Sequence, residues 1–184
     1  PVKMTALEPI NYGKMKFTDE GSYSISSPAE AAETSLLIKK HCKGETITDG
    51  TANMGGNVLS FSYLFDNVNA IELDKANYNA MKNNLKQYKR KNINYHLGNS
   101  LEIIPTLKQD IIFFDPPWGG KNYKKQKNVN IMLGDKTLQE LIEMFSKQTK
   151  CIVFKLPKNT NLRDITQKYS KHQIRNYLIL IITI

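Results

Sequence analysis

Short apolar runs alternate with amphipathic stretches along this chain, and the alternation predicts a repeated strand-helix order. The run Ile111–Phe114, for example, has the length and the apolar composition of a buried strand. Strands are predicted over Thr46–Asp49, Val68–Glu72, Asn92–His96, Asp110–Phe114 and Lys150–Leu156, with further strand material in His172–Ile184. This order predicts an α/β domain with a mostly parallel sheet and helices on both of its faces.

Helices are predicted between these strands. Ser27, Pro28 and Glu30 form a strong helix start, because a Ser cap, a Pro at the first helical position and an acid in the first turn all favour it. Helices are predicted from residue 28 to about 42, from 57 to about 65, over 75–91, 137–146 and 162–169, with a short helix or turn over 101–107. The connection Gly119–Asp135 is predicted to be a long polar loop, and Asp19–Tyr23 a turn.

Composition narrows the class of protein. The chain has 184 residues, of which 40% are apolar, and no apolar run approaches the ~20 residues of a membrane helix. Its net charge of +9 favours a polyanionic partner, such as nucleic acid or a phosphorylated ligand. Cys42 and Cys151 form no Cys-x-x-Cys motif, so reduced thiols are predicted and no metal site is expected.

Acidic residues close the first two predicted strands. Asp49 precedes a glycine-containing loop that lacks the Gly-x-Gly-x-x-Gly spacing of dinucleotide sites. A carboxylate there would repel a pyrophosphate, so the loop favours a cofactor with an ammonium group and no phosphate, S-adenosylmethionine. Glu72 ends the second strand about 20 residues further on, where an acid typically binds both ribose hydroxyls. The Asn99 amide, beyond the third strand, could bond the edge of an adenine ring.

The fourth predicted strand ends in the sequence Asp115-Pro116-Pro117-Trp118. An acid or amide, two prolines and an aromatic residue form the signature of enzymes that methylate exocyclic amino groups of bases. Such an amine is a poor nucleophile because its lone pair is delocalised into the ring. The Asp115 carboxylate and a main-chain carbonyl can accept its two N–H bonds, which directs the lone pair towards the methyl donor. Trp118 is predicted to stack on the base.

The segment from Asp115 to Gly120, with Tyr123 three residues beyond, resembles the catalytic segment of trimethylguanosine synthases, the cap-specific guanine-N2 methyltransferases. The resemblance covers most of the chain: it includes 20–30, 49–57, 70–74 and 156–159. The chain departs from the usual family residues at three positions. Asp115 stands where cellular members commonly carry Ser, Asn99 where Asp is usual, and Lys158 where Arg is usual.

The resemblance implies a Rossmann-like S-adenosylmethionine-dependent methyltransferase that acts on the N2 amine of the 7-methylguanosine RNA cap. Residues 1–26 would form an N-terminal arm and cap-site segment, and 27–184 the methyltransferase domain. The predicted catalytic residues are Asp115, Pro116 and Trp118. The predicted cofactor-binding residues are Ser27, Asp49, Gly50, Thr51, Gly55, Asn57, Glu72, Leu73, Asn99, Ser100 and Asp115.

The predicted substrate-binding residues are Trp118, Tyr123, Lys121 and Lys158. Stacking on Trp118 would be favoured by the positive charge of 7-methylguanine, and lysines would face the triphosphate bridge. The further candidates for that bridge are Lys124, Lys125 and Lys127. The expected partner is capped RNA, and no association with a membrane is expected. The protein is predicted to be a monomer that acts in the nucleus or cytoplasm, or in the host cell if it is viral.

Two other functions remain open at this point. An adenine-N6 or cytosine-N4 nucleic-acid methyltransferase would also use the Asp115 segment. A non-enzymatic cap-binding or RNA-binding module on the same fold would retain the aromatic residue, but Asp49 and Glu72 argue against it.

Overall fold

The computed structural model describes residues 11–13 and 15–184. The strands are β1 (Thr46–Asp49), β2 (Asn67–Glu72), β3 (Ile93–Leu97), β4 (Ile111–Phe114), β5 (Met132–Leu133), β6 (Lys136–Thr137), β7 (Cys151–Pro157), β8 (Tyr169–Ile174) and β9 (Tyr177–Thr183). The α-helices are α1 (Asp19–Ser24), α2 (Pro28–His41), α3 (Gly56–Leu64), α4 (Lys75–Lys86), α5 (Ser100–Ile103) and α6 (Leu138–Phe145). Short 3-10 helices cover Ile104–Thr106, Gly120–Lys125 and Ser146–Gln148.

Seven strands form one sheet in the order β3-β2-β1-β4-β7-β9-β8. The pairs from β3 to β7 are parallel, whereas β9 runs antiparallel to both β7 and β8. The prediction of a mostly parallel sheet is therefore confirmed. The strand order reverses between β1 and β4, and ligands of open α/β sheets bind at such a point, beyond the carboxyl ends of the strands.

Helices cover both faces of this sheet, because successive side chains of its central strands point to opposite sides. Ile111 and Phe113 of β4 pack in a core cluster with residues of α2, α3 and α4. Ile112 and Phe114 pack in a second cluster, with residues of α6. All four side chains are fully buried, which accounts for the uninterrupted apolar run that predicted this strand.

The turn from β1 into α3 depends on glycine at two positions. Gly55, the N-cap of α3, has a φ of 90°, and a Cβ there would lie 2.8 Å from the Leu85 side chain. A Cβ on Gly50 would lie 2.5 Å from the Phe114 ring. The missing Cβ lets the loop approach α4 at Gly55 and β4 at Gly50, so these glycines shape the edge at which β1 ends.

Four local predictions differ from the structure. Residues 19–24 form the helix α1, not a turn, and α4 ends at Lys86. The connection 119–135 contains a 3-10 helix and the strand β5, which pairs antiparallel with β6 directly after it. Residues 162–168 form no helix: the Thr166 N–H donates to the Gln139 side chain at 3.0 Å, in place of a helical carbonyl. A helix of seven residues is only marginally stable by itself, so the hydrogen bond to Gln139 determines the backbone conformation of this segment.

The prediction of reduced thiols was wrong, because Cys42 and Cys151 form a disulfide between the end of α2 and the start of β7. The two residues are 109 positions apart in sequence, with Cα atoms 6.0 Å apart. Their proximity is a product of the fold and leaves no local sequence signal. Among the described residues, no helix is long and apolar enough to cross a membrane, and no cluster of three potential metal ligands occurs.

The segment before α2 packs on the domain. The Tyr12 hydroxyl donates to the Ser26 carbonyl at 3.0 Å, and the Lys16 backbone exchanges two hydrogen bonds with the Asn84 amide. Residues 1–10 and 14 of the predicted arm lie outside the described residues. Its described part thus borders the loop that follows β1, since the Thr18 N–H contacts the Met54 sulfur at 3.4 Å.

Candidate active site

Acidic side chains from adjacent strands converge at the carboxyl edge of the sheet. Asp49 is the last residue of β1, Glu72 the last of β2, and Asp115 follows β4 directly. Asp49 pairs with Phe113 in the parallel register of β1 and β4, so Asp49 and Asp115 flank the point where the strand order reverses. The structure therefore brings together three carboxylates that the sequence assigned to a single site.

Asp49 is fully buried, and only one of its two carboxylate oxygens is hydrogen-bonded within the described residues. Its Oδ1 atom accepts hydrogen bonds from the Thr51 N–H at 2.9 Å and the Thr51 hydroxyl at 3.4 Å. Its Oδ2 atom has no hydrogen-bond partner among the described residues. Burial, with the nearby charges of Asp115 and Glu72, raises the pKa of Asp49 to about 8. An unpaired buried carboxylate oxygen of this kind calls for a ligand that brings a cation or a hydrogen-bond donor.

Glu72 is held in place by the main chain. Its Oε2 atom accepts from the Asn53 N–H at 2.7 Å, and its Oε1 atom from the Asp74 N–H at 2.8 Å. Partial burial raises the pKa of this carboxyl. Each carboxylate oxygen can accept more than one bond, so both remain able to accept from the two hydroxyls of a ribose. The neighbouring Leu73 is 72% exposed, so its apolar side chain is accessible to a purine ring.

The remaining predicted cofactor residues differ in their surroundings. Ser27 is the N-cap of α2, where its side chain and that of Glu30 form a capping box. Asn57 is buried, and its amide donates to the Ser26 hydroxyl at 3.1 Å. Asn99 caps α5 through a 3.0 Å bond from the Leu101 N–H, and Ser100 is buried beside it. Their roles as cofactor ligands remain predictions.

Thr51 links the cofactor loop to the segment after β4. The Asp115 N–H donates to the Thr51 hydroxyl oxygen at 2.6 Å, and that hydroxyl in turn faces Asp49. Burial raises the pKa of Asp115. Pro116 is buried, whereas Pro117 is exposed. The acid of the motif is thus fixed against the loop that follows Asp49.

Trp118 forms an aromatic corner with Tyr123. The two rings are edge to face, with centroids 5.2 Å apart. Trp118 is half-buried and packs against both core clusters, and its Nε1 finds no acceptor in the described part of the chain. A rigid corner of this kind can hold a flat ring against one of its faces.

The loop that carries Tyr123 is anchored to the end of β7. The Asn159 amide donates to the carbonyls of Tyr123 and Gln126, both at 2.8 Å. Lys158, next to Asn159, is exposed and lines an open groove of about 320 Å³ with Arg163 and Lys171. The predicted loop lysines are exposed as well: Lys121, Lys124, Lys125 and Lys127.

Lys155 was not among the residues predicted for the site. This residue lies in the middle of β7, is almost completely buried, and places its Nζ atom 3.6 Å from Asp115 Oδ2 and 2.9 Å from the Ser26 hydroxyl oxygen. Ser26 itself, rather than its neighbour Ser27, is the buried serine. A signal was available, because Lys155 is the single charged residue within the otherwise apolar run Cys151–Pro157.

Comparison with known proteins identifies the family. The model of the RNA cap guanine-N2 methyltransferase family matches residues 44–180, which include Asp49, Glu72, Asp115 and Trp118. The chain belongs to this family. It is 35% identical over 162 residues to an uncharacterised protein of Acanthamoeba polyphaga mimivirus, covering 83% of this chain and 60% of that protein. It is 22% identical over 171 residues to trimethylguanosine synthase of Saccharomyces cerevisiae, covering 88% of this chain and 54% of the yeast protein.

A solved structure supports the fold. The chain superposes on a putative methyltransferase from Porphyromonas gingivalis with a TM-score of 0.70 at 16% identity, covering 91% of this chain and 43% of that one. The chain thus has the fold of Rossmann-like methyltransferases, and its cofactor is S-adenosylmethionine. The unpaired Asp49 oxygen and the oriented Glu72 carboxylate fit the ammonium and ribose groups of that cofactor.

Proposed function

We propose that this methyltransferase modifies the N2 amine of the 7-methylguanosine cap of RNA. The observation that carries the proposal is the arrangement of Asp115, Trp118 and Tyr123, in which a buried carboxylate and an aromatic corner adjoin the acids of the cofactor site. Membership of the RNA cap guanine-N2 methyltransferase family supports the same substrate. The mimivirus and yeast proteins are longer than the matched segment, so the substrate assignment concerns this domain.

The cofactor, when bound, supplies an activated methyl group on a sulfonium. In the proposal, Asp49 accepts a hydrogen bond from its ammonium group and Glu72 binds its ribose hydroxyls. Leu73 packs on the adenine, and Asn99 and Ser100 lie at the adjoining strand end. These residues bind and orient; the reacting atoms lie nearer to Asp115.

Asp115 prepares the amine for attack. Its carboxylate accepts an N–H bond of the exocyclic amine, which weakens conjugation of the lone pair with the ring. The main-chain carbonyl of the Asp115–Pro116 region accepts the second N–H. As the new N–C bond forms and the bond from the methyl group to the sulfonium breaks, leaving a neutral thioether, the nitrogen would become cationic. Its surplus proton would pass to the Asp115 carboxylate and from there to water.

Trp118 and Tyr123 hold the base. A 7-methylguanine ring carries a positive charge, and its stacking on an aromatic ring should add about 1–2 kcal/mol when desolvated. That energy corresponds to a preference of about 5- to 30-fold over the unmethylated base. The triphosphate bridge would lie towards Lys158 and Lys121, whose point charges suit phosphate.

The cellular setting follows from the substrate. Capped RNA is found in the nucleus and cytoplasm, and the mimivirus relative fits a host cell as a further setting. We infer that the protein acts where such RNA is exposed.

A methylation assay on matched cap dinucleotides tests the proposal. Labelled methyl transfer should be about 5- to 30-fold faster on the 7-methylated cap dinucleotide than on its unmethylated counterpart. Equal rates on both would contradict the role of cation stacking on Trp118. Because an acid at position 115 also suits an adenine-N6 or cytosine-N4 enzyme, unmodified single-stranded RNA and DNA should be assayed in parallel. Activity on these without activity on the cap would favour that alternative.

A further inference from the structure

Lys155 and Asp115 form a buried ion pair within the candidate site. The Nζ atom of Lys155 lies 3.6 Å from Asp115 Oδ2, with the two side chains 8% and 19% exposed. The same Nζ donates to the Ser26 hydroxyl at 2.9 Å and lies 4.6 Å from the centre of the Tyr177 ring. Burying a charged lysine in the middle of a strand costs desolvation free energy, so the ammonium group needs a partner of opposite charge.

Other charged groups surround the pair on several elements. Glu30 of α2 faces both members, and Asp49 of β1 faces Asp115. Tyr177 of β9 closes the side nearest Lys155. Lys155 is therefore the cation that offsets a group of acids, and Asp115 is the member that the proposed function puts in contact with the base.

We propose that Lys155 is a specificity-determining residue: by keeping Asp115 ionised, it makes the site select a guanine edge over an adenine edge. The inference rests on the proposed function, in which the base stacks on Trp118 with its amine at Asp115. An ionised carboxylate only accepts hydrogen bonds. The guanine edge presents two adjacent donors, N1–H and the N2 amine, and so matches it.

A protonated carboxyl would present a different pattern. It has one donor and one acceptor, and it therefore matches the adenine edge, where the N6 amine donates and N1 accepts. Burial raises the pKa of Asp115, and the positive charge of Lys155 opposes that rise. Without Lys155, the carboxyl would face Glu30 and Asp49 with no compensating cation, and it would take up a proton more readily.

The test uses the fluorescence of Trp118, which is the only tryptophan in the chain and would be quenched by a stacked base. The full chain, saturated with S-adenosylhomocysteine to fill the cofactor site, is titrated with 7-methylguanosine triphosphate and with ATP between pH 6 and 9. Lys155→Met, Lys155→Arg and Asp115→Asn are compared with the unaltered chain. Lys150→Met is the matched control, because Lys150 pairs with Asp110 at 2.8 Å, where β4 and β7 begin, at the opposite edge of the sheet.

At pH 7, Lys155→Met should weaken binding of 7-methylguanosine triphosphate by about 10- to 100-fold, the effect of losing hydrogen bonds to a charged group. The loss should diminish as the pH rises, because Asp115 then ionises without help. For each nucleotide, the association constant of the variant is divided by that of the unaltered chain at the same pH, so that titration of the base itself cancels. Lys155→Arg should preserve the preference for guanine, and Asp115→Asn should lose it at every pH.

Two results would overturn the inference. If Lys155→Met folds, as judged by circular dichroism, and binds both nucleotides with unchanged selectivity, Lys155 is structural only. A loss of binding that is the same at all pH values and is not restored by Lys155→Arg would also contradict it. Failure of the proposed function would look different, since the unaltered chain would then show no preference for 7-methylguanosine triphosphate over ATP.

Discussion

Asp49 provides a direct test of the electrostatics of the site, because its buried carboxyl has an unpaired oxygen. We predict that Asp49→Asn stabilises the cofactor-free protein, and that the gain grows as the pH rises. The folded-state pKa of about 8 lies above the ordinary value of 3.8. The native state thus retains a proton that the unfolded chain releases, and stability is lost as the pH rises towards 8. The amide of the variant does not titrate.

The expected magnitude follows from these two values. Between pH 5 and pH 7 the folded group is mostly protonated and the unfolded group mostly ionised. The free energy of unfolding should then fall by about 1.4 kcal/mol per pH unit relative to the variant, or at most about 3 kcal/mol over this interval. Glu72 and Asp115 titrate in both proteins, so the difference reports mainly on Asp49.

Urea unfolding, followed by Trp118 fluorescence and circular dichroism, measures this difference at pH 5, 6 and 7. Asp110→Asn is the control, because its hydrogen bond with Lys150 lowers the pKa of Asp110. The stabilisation that Asp110 provides is present above the pKa of this group in the unfolded chain and is lost only in acid. The difference in free energy of unfolding between Asp110→Asn and the unaltered chain should therefore stay constant between pH 5 and 7. A constant difference for Asp49→Asn as well would refute the reasoning.

The remaining predictions concern binding and turnover. Trp118→Ala should weaken binding of a cap analogue by about tenfold or more while S-adenosylhomocysteine binds normally in calorimetry; loss of both would mean that the tryptophan is structural. Glu72→Gln should weaken S-adenosylhomocysteine binding by about 10- to 100-fold, since a charged acceptor for the ribose is lost. Unchanged affinity would remove Glu72 from the cofactor site. Thr51→Val deprives the Asp115 N–H of its acceptor, so thermal unfolding should show a loss of about 1–3 kcal/mol and kcat should fall. A kcat equal to that of the unaltered chain would argue against a role of this bond in positioning Asp115.

The parts of the fold with a strong local pattern could be predicted from the sequence. Ile111–Phe114 is apolar throughout because both sides of the strand are covered, and the prolines that follow it end the strand. The Ser27 and Glu30 pair specified the start of α2. Local chemistry decides such elements, so they are visible in the sequence without knowledge of the fold.

Features that depend on distant contacts could not be predicted in the same way. The disulfide joins positions 42 and 151, and Gln139 determines the path of the segment around Thr166. The buried pair of Lys155 and Asp115 also joins two strands that are adjacent only in the folded sheet. The acids of the site could therefore be predicted from the sequence, whereas the cation that balances them could not.

The identity of the methylated atom tests the central claim most directly. Capped RNA is incubated with the protein and a cofactor that carries a ¹³C-labelled methyl group, digested to nucleosides, and analysed by mass spectrometry and NMR. We predict that the label appears on N2 of 7-methylguanosine. Label on adenine N6 or cytosine N4, with the cap unmodified, would contradict the proposed function.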